Sequence, residues 1–208
     1  MIKNFEKLHN KAKKIIPGVS QLLGKRPDMY LPGNKWPTYY SKAKGVTIWG
    51  LDGKKYLDFT MVGIGTSVLG YSDNHMNKIA INAIKSGSMT TLNAPEDVKL
   101  AEELLKIHPW ASSVKYARTG GESMSVAIRL SRAYTKKEKI LFCGYHGWHD
   151  WYLSANISSK KKLDTHLLPG LEPLGVPKSL RGTVIPFKFN YWEDLNRTIK
   201  KMLETVRQ

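Results

Sequence analysis

Gly120 and Gly121 stand between Thr119 and Glu122 in the run Ala117-Arg-Thr-Gly-Gly-Glu-Ser-Met-Ser-Val-Ala-Ile-Arg-Leu-Ser-Arg132, and Ile140-Leu-Phe-Cys-Gly-Tyr-His-Gly147 follows it. Adjacent residues without side chains let a ligand approach backbone amides closely. Where such a pair opens a helix, the orphan amides and the positive end of the dipole suit an anion such as phosphate. A tight turn uses the same pair for its backbone freedom, so the glycines alone leave both readings open. Tyr145, set between Gly144 and Gly147 with His146, has room to stack on a flat ligand or to pack on protein.

The elements that position these residues follow from local patterns. Ser113 to Ala117 alternates Val114 and Tyr116 with polar neighbours, which predicts a strand. Thr119 and Glu122 have the spacing of a capping box. From Ser123 to Tyr134, Met124, Ala127, Ile128, Leu130 and Ala133 hold a helical apolar face. Lys139 to Cys143 is a compact apolar run and predicts a second strand. Strand, helix and strand of this length predict a right-handed parallel crossover. Ligands of parallel sheets sit beyond the carboxyl ends of the strands, so Thr119-Gly-Gly and Gly144-Tyr-His-Gly147 are expected at one sheet edge.

Elsewhere, Lys3 to Ile15 reads as a basic helix stopped by Pro17-Gly18, and residues 19 to 38 read as irregular. Tyr39 to Phe59 reads as a hairpin about Asp52-Gly53. Asn74 to Lys85 and Glu96 to Ile107 read as helices, the second with Val98, Leu100, Ala101, Leu104 and Leu105 on a broad apolar face. Residues 155 to 182, rich in Pro and Gly, read as a long loop; Thr183 to Phe187 reads as a strand and Glu193 to Arg207 as a helix. A boundary near residue 70 divides a small N-terminal lobe with the hairpin, residues 1–70, from an α/β lobe, residues 71–208.

As a set, these segments resemble the class III (subgroup II) pyridoxal-phosphate aminotransferases, in particular the branch containing glutamate-1-semialdehyde 2,1-aminomutase. The likeness runs through Ile16-Pro-Gly18, Gly45-Val-Thr-Ile-Trp-Gly-Leu-Asp-Gly-Lys-Lys-Tyr-Leu-Asp-Phe59, Ser67-Val-Leu-Gly-Tyr71, Asn93-Ala-Pro95, Thr119-Gly-Gly-Glu-Ser123, Ala127-Ile-Arg-Leu-Ser-Arg132 and Tyr145-His-Gly147. It implies an α/β chain of the PLP-dependent transferase type I fold. The large domain, with its mainly parallel sheet, would be truncated, and the small N-terminal lobe would precede it.

The resemblance also implies the chemistry. Pyridoxal 5'-phosphate would be the cofactor, its phosphate held by the Gly120 and Gly121 amides with Thr119 close by. Tyr145 would stack on its ring and His146 would lie beside it. Glu122 would be a cap or dimer-interface residue. The lysine that forms the Schiff base and the acidic partner of the ring nitrogen come later in the family's chains, so both are expected beyond Gln208. No catalytic residue is assigned within the chain. The expectation is an N-terminal half, inactive alone, of a homodimeric enzyme that moves an amino group from an amino donor to a carbonyl acceptor. The alternatives are the aminomutase itself, an isomerase, or a non-catalytic half-chain that binds phosphate compounds and needs a partner. The aminomutase places an arginine three residues beyond a serine here, whereas Ser20 is followed by Gln21, Leu22 and Leu23, which favours another specificity. Trp148 and Trp151 are expected to reshape the pocket mouth.

Composition excludes other classes. The chain has 208 residues, a net charge of +16 and 33 basic side chains. Such a charge attracts nucleic acid, yet lysine outnumbers arginine 26 to 7 and the lysines are scattered. Nucleic-acid sites prefer the bidentate, stacking guanidinium, so no nucleic-acid partner is expected. The single cysteine, Cys143, forms no disulfide framework and reads as a small buried hydrophobe. The N-terminus has no signal-peptide core and no run approaches a membrane span, which places the protein in the cytoplasm, free of membranes. His146, His149 and Asp150 could be taken as metal ligands, but no further His or Cys pair lies close enough to complete a site, and no metal is assigned. His149 reads as a surface or interface residue.

Overall fold

The computed structural model describes residues 5–27, 30, 36–60, 62–157, 163 and 171–206. They form two compact units, Met1–Asn93 and Ala94–Gln208.

The first unit opens with α1, Phe5–Ile15, which carries Glu6 in its first turn and Lys13 and Lys14 in its last, as the helix dipole favours. It buries His9 and Ala12. A three-stranded antiparallel sheet follows, with β1 (Tyr40–Lys44), β2 (Thr47–Gly50) and β3 (Lys55–Leu57) paired in that order. The β2–β3 turn forms about Asp52-Gly53, as its sequence predicts. Gly53 takes a φ of +80°, and Asp52 accepts from the Lys54 amide at 3.0 Å and from the Tyr56 hydroxyl at 2.9 Å. The chain then returns to the sheet, where Gly45 and Tyr71 exchange two backbone bonds of 2.8 Å. Gly70 permits this approach, since a Cβ there would lie 3.1 Å from the Gly45 Cα. The Tyr71 hydroxyl donates to Asp58 at 2.5 Å and closes the junction. Helix α2, Asn74–Lys85, is capped by Asp73, which accepts from the Met76 amide, and it buries no residue.

The second unit contains α3 (Pro95–Ile107), α4 (Gly120–Thr135), β4 (Ile140–Phe142), α5 (Asp150–Leu153), β5 (Val184–Pro186) and α6 (Trp192–Val206). β4 and β5 pair in parallel, Ile140 opposite Val184 and Phe142 opposite Pro186. Their crossover carries α5 and the short 3-10 turn Ser154–Ile157. The core gathers around β4: Ile128 of α4, Phe142, Trp151, Tyr152, Ala155, Leu163 and Val184. Asn156 is buried among them, its amide nitrogen donating to the Leu171 carbonyl at 2.6 Å and its oxygen accepting from the Leu163 amide at 3.0 Å.

One expectation fails here. Ser113 to Ala117 is not a strand. A strand needs a neighbour to take its ladder bonds, and among the described residues none pairs with this segment; Tyr116 instead donates its hydroxyl to the Asp97 carbonyl at 2.6 Å. Much of the 155–182 stretch expected as a loop lies outside the described residues, as do Lys3 and Asn4 of the helix expected from Lys3 to Ile15.

Candidate functional site

The start of α4 has the geometry that Thr119 and Glu122 predict. Thr119 is extended, with φ −134° and ψ 158°, and its hydroxyl accepts from the Glu122 amide. The Glu122 carboxylate accepts from the Thr119 amide at 3.3 Å and from the Arg118 amide at 2.9 Å. With its carboxylate so engaged, Glu122 is a cap. The first-turn amides left without an intrahelical partner belong to Gly120 and Gly121. Among the described residues the space over Gly120 is open, a Cβ there meeting nothing within 4 Å.

Gly121 is different. A Cβ at this position would lie 2.6 Å from His149 Nε2 and 2.8 Å from its Cδ2. Gly147 also lies close, its own hypothetical Cβ 3.5 Å from the Gly121 Cα. The loop Gly144–His149 is therefore seated on the N-terminal turn of α4. Gly144 and Gly147 make this possible with φ values of +80° and +94°, a region costly for residues with a Cβ.

Within that loop the side chains part company. Tyr145 is half-buried and meets Tyr152 edge-on, with ring centres 5.7 Å apart and planes at 83°. Burial pushes its phenol pKa up, so the group stays neutral. The His146 ring turns onto the core, edge-on to Phe142 at 5.9 Å, with Nε2 2.7 Å from the Cys143 carbonyl. As the carbonyl can only accept, Nε2 carries the proton and donates. Cys143 is half-buried rather than buried.

One sequence reading needs correction. Trp151 is 7% exposed and lies in the core, not at a pocket mouth, whereas Trp148 is 70% exposed. The reason is α5, which turns Trp151 and Tyr152 inward while Trp148 precedes the helix. His149, read as a surface or interface residue, is half-buried against Gly121, and Trp148 stacks on its ring with centres 5.7 Å apart and planes at 8°. No local signal marks this contact, because Gly121 and His149 meet only through the fold.

The residues fit a flat ligand that bears a phosphate. Among the described residues two amide donors at a positive helix end have no partner and the space over Gly120 is open, and an aromatic ring is carried on the loop packed against that turn. Among the described residues no group of three or more His, Cys, Asp or Glu could hold a metal ion, and no helix is long and apolar enough to cross a membrane.

Residues 30–206 match the model of the family Aminotransferase class-III. The chain is similar to 3-aminobutyryl-CoA aminotransferase of Cloacimonas acidaminovorans, 33% identical over 145 residues, which are 69% of this chain and 34% of that protein. It is similar to glutamate-1-semialdehyde 2,1-aminomutase of Sulfurisphaera tokodaii, 32% identical over 157 residues, covering 74% of this chain and 36% of that protein. The matched stretch thus spans about a third of the length of these relatives. Among solved structures it is similar to the PLP internal aldimine form of the FumI protein of Sphingopyxis sp. MTA144, at 24% identity and a TM-score of 0.77, covering 95% of this chain and 43% of that one. This likeness gives the fold, the type I fold of the PLP-dependent transaminases. With both the family model and the curated relatives in agreement, the chain belongs to the class-III aminotransferases.

Proposed function

We propose that the chain is part of a pyridoxal-5'-phosphate-dependent aminotransferase, which passes an amino group from an amino donor to a carbonyl acceptor. The observation that supports this best is the capped, open turn at Gly120 with the Gly144–His149 loop seated on it. The amides of Gly120 and Gly121 hold the phosphate, with the Thr119 hydroxyl beside them. Tyr145 offers its ring to the flat face of the cofactor, supported from behind by Tyr152. His146, bonded to the Cys143 carbonyl, keeps the loop in register beside it. When bound, the cofactor supplies an electron sink that eases proton removal next to the transferred amino group. The anchoring lysine that moves this proton, and the acidic partner of the ring nitrogen, fall after Gln208 in this reading. The 208-residue chain alone then binds but does not turn over, and the whole enzyme works as a homodimer.

Pyridoxamine 5'-phosphate is the suitable probe, since it has no aldehyde to react with the 26 lysines. The expected result is an induced circular dichroism of the bound ring that Tyr145→Ala abolishes, with no amino transfer by the chain alone. Absence of any binding overturns the site, and steady transamination overturns the placing of the lysine.

One observation favours a second reading, a non-catalytic half-chain that joins a separately made partner. Helices α2 and α3 bury no residue, and Ile79, Ile84, Val98 and Ile107 stand exposed on them. Co-purification of a lysine-bearing chain of the same family would establish it, and its absence from the native protein would remove it.

A further inference from the structure

We propose that His149 is an anion-contacting residue of this site, its Nε2 donating a hydrogen bond to the phosphate that the Gly120 and Gly121 amides hold. The proposal rests on the cofactor reading above and adds to it a side-chain donor.

The imidazole approaches the helix end by one edge. Nε2 and Cδ2 lie 2.6 and 2.8 Å from the position of a Cβ on Gly121, while Cε1 is 3.9 Å away. The nitrogen-bearing edge therefore takes the room that a side chain at the second position of α4 would fill. Glycine at 121 does more than free an amide, for it admits the ring to the first turn.

The ring is also held there. Its backbone caps α5, the His149 carbonyl accepting from the Tyr152 and Leu153 amides at 2.9 and 3.1 Å. Trp151 and Tyr152 anchor that helix in the core. Trp148 lies nearly parallel on the imidazole and fixes its plane. Among the described residues neither ring nitrogen of His149 has a hydrogen-bond partner, whereas Nε2 of His146 is committed to the Cys143 carbonyl. Of the two histidines in this loop, His149 brings an uncommitted donor to the turn.

The test is calorimetric titration of the 208-residue chain with pyridoxamine 5'-phosphate and with pyridoxamine, which has the ring without the phosphate. His149→Ala is expected to weaken the phosphate ester about tenfold or more and to leave pyridoxamine unchanged. His149→Gln, which keeps a side-chain N–H, recovers part of the loss. Gly121→Ala pushes the ring away and reproduces it, and the double substitution Gly121→Ala with His149→Ala is no weaker than either single one. Parent-like affinity in His149→Ala overturns the proposal. So does an equal loss for both ligands with no recovery in His149→Gln, which would mark a packing role. Gly120→Val separates the two readings. If it abolishes binding while His149→Ala does not, the cofactor site stands and the histidine contact falls. If the parent chain fails to bind, or Gly120→Val binds as the parent does, both fall.

Discussion

Thr119 and Glu122 exchange hydrogen bonds with each other's backbone: the Thr119 hydroxyl accepts from the Glu122 amide at 3.2 Å, and the Glu122 carboxylate accepts from the Thr119 amide at 3.3 Å. The exchange consumes the carboxylate in the first turn of α4 and leaves the two glycine amides without an intrahelical partner. Thr119→Ala is expected to cost about 1 kcal/mol and Thr119→Ser to retain most of the cap. Urea unfolding followed by far-ultraviolet circular dichroism reads both. Equal midpoints for the alanine variant and the parent would show that the box contributes nothing.

Asn156 bridges two distant points of the chain from within the core, and each of its bonds has a fixed direction. Asn156→Asp keeps the acceptor for the Leu163 amide but sets a carboxylate oxygen against the Leu171 carbonyl. The variant is expected to lose about 2–3 kcal/mol near neutral pH. Burial and the facing carbonyl raise the new carboxyl's folded pKa above its unfolded value. The protonated form, which can donate to Leu171, is therefore stabilised by folding at low pH, and that gain disappears as pH rises through the folded pKa. Thermal melts at acidic and neutral pH check this; a constant gap between variant and parent contradicts it.

Tyr152 is fully buried, and among the described residues its hydroxyl has no hydrogen-bond partner. Burial first, and then the nearby Tyr145, push its pKa up to about 12. An unsatisfied buried hydroxyl costs on the order of 1–3 kcal/mol, so Tyr152→Phe is expected to stabilise the protein by about 1 kcal/mol. A lower melting temperature for Tyr152→Phe would contradict this.

The Asp58–Tyr71 bond gives the first unit two pH edges. Burial raises the pKa of Tyr71 from 10.0 to about 12, with the hydrogen bond to Asp58 adding to the rise. Burial also acts upward on Asp58, but the bonds from Thr60 and Tyr71 outweigh it and hold its pKa below the usual value. The raised tyrosine contributes stability in full below its unfolded pKa and loses it as pH rises through about 12. The lowered aspartate contributes above its unfolded pKa and loses stability as pH falls through its folded one. Both groups are only half-buried, so solvent screening holds each edge to about 1 kcal/mol or less. Tyr71→Phe should remove the alkaline edge and weaken the acid one, as read by melting temperature against pH.

Local chemistry was legible in the sequence. Helix α2 runs from Asn74 to Lys85, the capping box opens α4, and the hairpin turns at Asp52-Gly53, because each depends on residues a few positions apart. The family was legible for a related reason, since several short segments stand in the same order along the chain. Tertiary structure decided what local patterns cannot. Ser113 to Ala117 has the alternation of a strand but, among the described residues, no neighbour to bond with, and a strand is a property of a pair. Trp148 and Trp151 look alike in sequence, yet one turn of α5 buries the second and leaves the first on the His149 ring. The contact of His149 with Gly121 joins residues separated by a whole helix and a strand. Such a contact exists only once α4 and the loop after β4 have packed around Phe142 and Ile128.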